Sequence, residues 1–140
     1  MKVSTQGLSL YVGIGCRRGC GVEELESLLR ATLRAHGLSM GTLRGLASIE
    51  LKADEAGLHA LAERLCLPLV FFPASHLAVF EPRLTHRSPT AWAHSGCWGV
   101  AESTALALAS RSHALAELRV PRQRSAQATL ALACSTGFAG

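Results

Sequence analysis

A short apolar run that breaks into glycines and arginines, then resumes with a different period, governs how this chain can fold. Leu8 to Ile14 favours a mostly buried strand. From Val22 the apolar positions Val22, Leu25, Leu28, Leu29, Thr32 and Leu33 recur on one helical face. Between the two lie Gly13, Gly15, Gly19 and Gly21, with the adjacent Arg17 and Arg18. A strand that turns through glycine into a helix belongs to an α/β fold. Its turn sits beyond the carboxyl end of the strand, where open α/β sheets bind ligands. The following helix offers unpaired N–H groups and a partial positive charge. The guanidiniums offer fixed forks that suit carboxylate or phosphate. The stretch therefore reads as a site for an anionic ligand, against the plainer alternative of a tight turn with two solvated arginines.

The rest of the chain alternates in the same way. Glu23, Glu24 and Glu26 favour the start of the first helix, and Gly37 just past His36 favours its end. Leu46 to Leu51 reads as a second strand, and Asp54 as the N-cap of a helix from Glu55 to about Cys66. Pro68 introduces a third strand, Leu69 to Phe72, closed by Pro73, and Ala74 to Leu77 suits one helical turn. Glu81 to Pro89 reads as a loop, followed by helices over Thr90 to His94 and Val100 to Ser110. Ala114 to Val120 and Ala128 to Cys134 read as two more strands, with Pro121 to Ser125 between them. This pattern predicts an α/β fold of three layers (α/β/α), with a mixed, mostly parallel sheet of about five strands.

Composition narrows the function classes. At 140 residues the chain fits one domain over 1–140, with residues 1–7 and 135–140 expected as flexible ends. It is 49% hydrophobic and 17% charged, an ordinary globular balance. It lacks both an uninterrupted apolar run long enough to span a bilayer and the apolar core of a signal peptide, so neither a membrane partner nor secretion is expected, and a cytoplasmic location is. The net charge of +4 favours an acidic partner. Nucleic acid is not expected, because no dense basic run with interleaved aromatics appears. The cations are nearly all arginine, which fits pocket-type carboxylate recognition. Five cysteines without a secretion signal read as reduced thiols. Cys16 and Cys20 lack the Cys or His partners of a zinc site, so neither a metal nor a cofactor is expected.

The candidate site residues follow from this placement. The spacing of Gly13, Gly15 and Gly19 approaches a dinucleotide fingerprint without matching it, which leaves a nucleotide-binding module as one alternative. Lys52, Asp54 and Glu55 follow the second strand and fall on the same sheet edge as the arginines. Gly99 opens a further helix, and Glu102 near its start reads as a capping acid, an arginine partner or a ligand contact. The histidines are scattered, and no nucleophile–base pair emerges.

Gly13 to Gly19, with Glu23-Glu24-Leu25, resembles the start of the CobE/CbiG C-terminal family of cobalamin biosynthesis. So does the run from Leu46 to Leu58, and the likeness continues through Leu67 to Phe72, Gly99 to Glu102 and Ala128 to Ala133. Cys20 departs from the Thr or Ser more usual in the family, and Cys97-Trp98 from smaller residues. The resemblance implies a cobalamin (corrin ring) biosynthesis protein that binds a carboxylate-rich methylated tetrapyrrole as carrier or accessory factor. Its partners would be corrin-pathway intermediates and other enzymes of that pathway. The alternative it implies is a hydrolase opening a lactone on a corrin precursor, with Glu102 or Asp54 assisting a water. The ligand-binding residues expected from both lines are Gly13, Gly15, Cys16, Arg17, Arg18, Gly19, Lys52, Asp54, Glu55, Gly99 and Glu102.

Overall fold

In a computed structural model that describes residues 8–112 and 115–135, the chain runs through two β–α units into a third strand. These are β1 (Leu10–Cys16), α1 (Val22–Ala35), β2 (Leu43–Ile49), α2 (Ala56–Leu65) and β3 (Leu69–Phe72). Three helices follow, α3 (Ala74–Leu77), α4 (Pro89–Ser95) and α5 (Val100–Ala109), and then the hairpin of β4 (Ala116–Arg124) and β5 (Ala128–Ser135). The strand order is β3-β2-β1-β5-β4. The β1–β2 and β2–β3 ladders are parallel, while β5 runs antiparallel to both β1 and β4. Four strands thus share one direction, and the sheet is mixed, as expected. No helix among the described residues is long and apolar enough to cross a membrane.

Alternation along β1 sorts the two faces. Leu10, Val12 and Ile14 join Leu25, Leu29 and Leu33 of α1 and Leu58 and Leu61 of α2 in one core. Ala47, Ile49 and Phe72 meet α5 and Leu77 of α3 in the other. α5 is buried along its length from Ala101 to Ala109, its apolar residues in the core and its polar Glu102, Ser103 and Thr104 enclosed as well. Small residues make that close fit possible. A Cβ on Gly13 would lie 2.0 Å from the Ala101 carbonyl oxygen and 2.5 Å from the Ala105 nitrogen.

Several sequence expectations shift. β2 begins at Leu43, earlier than Leu46, and Glu50–Lys52 form a short 3-10 turn in place of its expected end. α2 starts at Ala56 with Glu55 at the N-cap position and no side-chain cap, so Asp54 does not cap it. Ala74–Leu77 forms the expected helical turn, but a 3-10 stretch over Ala78–Arg83 runs into the segment expected as a loop from Glu81 to Pro89. β4 continues through Pro121 to Arg124, its register shifting twice against β5. As an edge strand it tolerates a proline that a central strand would not. Gly37 ends α1 as expected, with the Leu38 N–H donating to the Leu33 carbonyl at 2.9 Å. Ser135, expected in a flexible end, belongs to β5. Residues 1–7 and 136–140, and the expected strand start at Ala114, lie outside the described residues.

Candidate functional site

The carboxyl ends of β1, β2 and β4 open on one edge of the sheet, because β5 enters there between β1 and β4: Cys16 pairs with Ala128 and Arg124 with Thr129. A cleft of about 1030 Å³ occupies that edge, at the upper end of the range for small-molecule sites. Its floor and walls come from the turns after β1 and β2, the segment between β3 and α5 that carries α4 (the strap), the start of α5 and the β4–β5 turn.

The arginine turn is held from both sides. The Arg17 N–H donates to the Gln127 carbonyl at 2.9 Å, and the Cys20 N–H closes the turn on the Arg17 carbonyl at 3.0 Å. Gly19 takes φ +82°, a left-handed conformation that glycine adopts without strain. Its N–H donates to Glu55 Oε1 at 2.9 Å. Gln127 in turn donates its N–H to Glu24 Oε2 at 2.7 Å, tying the β4–β5 turn to the start of α1. Ser125 donates its hydroxyl to that same carboxylate, and these two bonds hold the Glu24 carboxyl below its ordinary pKa. Arg17 and Arg18 are exposed on this pinned turn and line the cleft.

Five permanent cations border the cleft: Arg17, Arg18, Lys52, Arg122 and Arg124. None forms an ion pair with a carboxylate among the described residues. Arg122 also keeps a buried Nε without a hydrogen-bond partner there. Against them stand Asp54, Glu55 and Glu102. Glu55 is buried and holds the Gly19 N–H. Two helices begin at the cleft, α2 after Glu55 and α5 after Gly99, and neither has a side-chain cap. Their first N–H groups lack intrahelical partners and carry partial positive charge.

Glu102 is 1% exposed. Its Oε1 accepts from the Thr85 N–H at 2.7 Å and the His86 N–H at 3.3 Å. Its Oε2 accepts from the Thr85 hydroxyl and from the Arg122 N–H at 2.9 Å. Burial alone would raise its pKa, but these hydrogen bonds outweigh burial and hold the carboxyl below the usual range. A carboxylate has about four lone-pair sites, and here four donors fill them. Glu102 therefore neither caps α5 nor offers a free oxygen to a ligand or a water. It latches α5 to the strap and to β4. Its neighbour His86, with Nδ1 3.7 Å from Oε2, is half exposed and lines the cleft.

The structure brings together Gly15, Cys16, Arg17, Arg18, Lys52, Asp54, Glu55, Gly99 and Glu102. Gly13 stands apart: it is buried under α5 and serves that helix's approach, so the expectation of a ligand contact there is corrected. Gly19 shapes the turn from outside the cleft wall, and its N–H is already taken by Glu55. That removes one donor from any phosphate cradle and weighs against the nucleotide alternative. Cys16 faces the cleft, but burial first and the nearby Glu55 second push its thiol up to about 11. It stays protonated at neutral pH and is no ready nucleophile. Arg122, Arg124, His86 and Trp98 also line the cleft and were not among the residues expected there. Arg122 and Arg124 follow Val120 at strand spacing, a signal that would have extended β4 and carried both to the sheet edge.

Comparison with known proteins agrees with this architecture. Residues 10–133 match the family model for the cobalamin synthesis G C-terminus. The chain is 38% identical over 132 residues to Protein CobE of a Sinorhizobium species, covering 94% of this chain and 84% of that protein. It is 28% identical over 124 residues to the cobalt-precorrin-5A hydrolase of Priestia megaterium, of whose length it spans only 32%. Among solved structures, CobE, described as a protein from the cobalamin (vitamin B12) biosynthetic pathway, superposes with a TM-score of 0.89 at 43% identity. That match covers 94% of this chain and 93% of the other. The cobalamin biosynthesis protein chiG of Agrobacterium tumefaciens follows with a TM-score of 0.69 at 36% identity, covering 91% of this chain and 98% of the other. The chain belongs to the CobE/CbiG C-terminal family of cobalamin biosynthesis proteins.

Proposed function

We propose that the cleft binds a carboxylate-rich methylated tetrapyrrole intermediate of corrin synthesis, and that the protein acts as its carrier or as an accessory factor. The observation that carries this reading is the ring of five cations, free of carboxylate partners among the described residues, around a cleft where two uncapped helices begin. Unpaired arginines spend nothing on breaking existing bridges when they meet a ligand carboxylate, and each can engage it with two parallel hydrogen bonds. Corrin precursors carry acetate and propionate carboxylates around their periphery, so several such contacts can form at once. Other enzymes of the pathway are the natural donors and acceptors of a carried intermediate.

The likeness to cobalt-precorrin-5A hydrolases supports a second reading, hydrolysis of a lactone on a corrin precursor. In this cleft that role falls to Asp54, which is exposed, since the lone pairs of Glu102 are filled and Cys16 is protonated. The two readings differ in the fate of the pigment. Purified protein would be incubated with corrin-pathway intermediates, and the bound pigment recovered by denaturation and weighed by mass spectrometry. The expected result is a bound pigment of unchanged mass. A recovered pigment heavier by one water, as opening a lactone requires, would establish the hydrolase instead, and an intermediate that never binds would overturn both.

A further inference from the structure

The cationic ring accounts for carboxylates but not for one feature of the cleft wall. The chain has two tryptophans, Trp92 and Trp98, and they stack with ring centroids 5.1 Å apart and planes 14° from parallel. Trp92 is 48% exposed on α4 and lies outside the cleft, whereas Trp98 lines it. One face of Trp98 is thus covered by its partner, while the residue still lines the cleft. The backbone at Trp98 is pinned on both sides. The Trp98 carbonyl accepts the Ser88 N–H at 2.8 Å, which closes the base of the strap. The next residue, Gly99, is wedged against the His86 carbonyl, where a Cβ would come within 3.1 Å. From the turn after β2, Leu51 also lines the cleft, and it is 57% exposed, an unusual position for leucine unless something covers it. The cleft therefore carries apolar surface, at Trp98 and Leu51, beside its cations.

Building on the tetrapyrrole reading above, we propose that Trp98, braced by Trp92, is the platform against which the conjugated face of the ring lies while its carboxylates reach the arginines. Trp98 is then a specificity residue of this chain: it favours ligands with an extended π face over polycarboxylates without one. A rigid aromatic with one side already covered loses little freedom on binding, and offset stacking adds to the area it removes from water.

The probe is uroporphyrin, an aromatic tetrapyrrole with eight carboxylates, titrated by visible absorbance at several salt concentrations. Trp98→Ala is expected to weaken binding roughly tenfold or more. The slope of log Kd against log salt should stay as in the wild type, because no charged contact is lost. Trp98→Phe should restore affinity to within about threefold of the wild type, since a flat ring remains. Arg17→Ala/Arg18→Ala should instead flatten the salt slope. Wild-type affinity in Trp98→Ala would overturn the platform and leave the carboxylate site standing. So would a Trp98→Phe protein as weak as Trp98→Ala, or a salt slope that flattens in Trp98→Ala, since the loss would then come from a displaced strap or displaced arginines. Absence of uroporphyrin binding by the wild type would overturn the platform together with the reading it rests on.

Discussion

Glu102→Ala is expected to melt roughly 10 °C below the wild type. The substitution strands three backbone N–H groups, those of Thr85, His86 and Arg122, and the Thr85 hydroxyl. Each buried donor left without an acceptor costs about 1–3 kcal/mol, with the lower values where water can enter. Thr85 and His86 are exposed enough to admit water, so the total falls at about 3–5 kcal/mol, a large share of a typical domain's stability. Glu102→Gln keeps the shape and one strong acceptor, and should lose about half as much. The two variants also separate in acid. The wild-type carboxyl has a folded pKa below the ordinary 4.5, so its contribution is present above the unfolded value and is lost as pH falls through the folded one. Glu102→Gln has no such group and should lose less stability over that acid range. Differential scanning calorimetry at neutral and acid pH checks both points. A Glu102→Ala protein that melts with the wild type would mean the strap is held by other contacts.

Gly13→Ala should be nearly as damaging from a single methyl group. The added Cβ would meet the Ala101 carbonyl oxygen at 2.0 Å, the Ala105 nitrogen at 2.5 Å and the Thr104 hydroxyl at 2.6 Å. Two of the three are helix backbone, so α5 itself must back away from β1. Overpacking of a close-fitted core costs about 1–3 kcal/mol when side chains can yield and more when backbone must. We expect about 3 kcal/mol or more, read as a drop of at least about 1 M in the urea midpoint. Because α5 begins at the cleft, ligand affinity should fall as well. Gly19→Ala is the contrast: nothing lies within 4 Å of its Cβ, and only the left-handed backbone opposes it, at about 1 kcal/mol. Equal midpoints for the two variants would contradict the close helix–sheet contact.

Sequence reasoning succeeded where period and strand direction decide the outcome and failed where tertiary packing does. The change of period at Val22 announced β1 and α1 because the two repeats, 2.0 and 3.6, cannot be confused over 14 residues. That Arg17, Arg18 and Lys52 come to one sheet edge was legible because both turns follow parallel strands, and parallel strands end on one edge. Gly13 was misplaced for a simple reason. A glycine that lets a helix approach and one that lets a ligand approach look identical in sequence. Asp54 has the chemistry of a cap, but the 3-10 turn at Glu50–Lys52 uses up residues and moves the helix start to Ala56. Arg122 and Arg124 were hidden by Pro121, which argues against a strand until one knows that β4 lies at the sheet edge. Trp98 stood in plain view but reads only as a departure in size. Its stacking on Trp92 depends on the closed strap, which no local pattern encodes.

The central claim, that unpaired arginines at the sheet edge hold the carboxylates of a tetrapyrrole, is tested most directly by affinity. Corrin-pathway intermediates would be titrated into the wild type and into Arg17→Ala/Arg18→Ala, with melting temperatures measured alongside. Both side chains are exposed, so the double variant should melt with the wild type. Each lost charge-assisted contact is worth about 1.5–3 kcal/mol, so Kd should rise about a hundredfold or more. An unchanged Kd in the folded double variant would contradict the account.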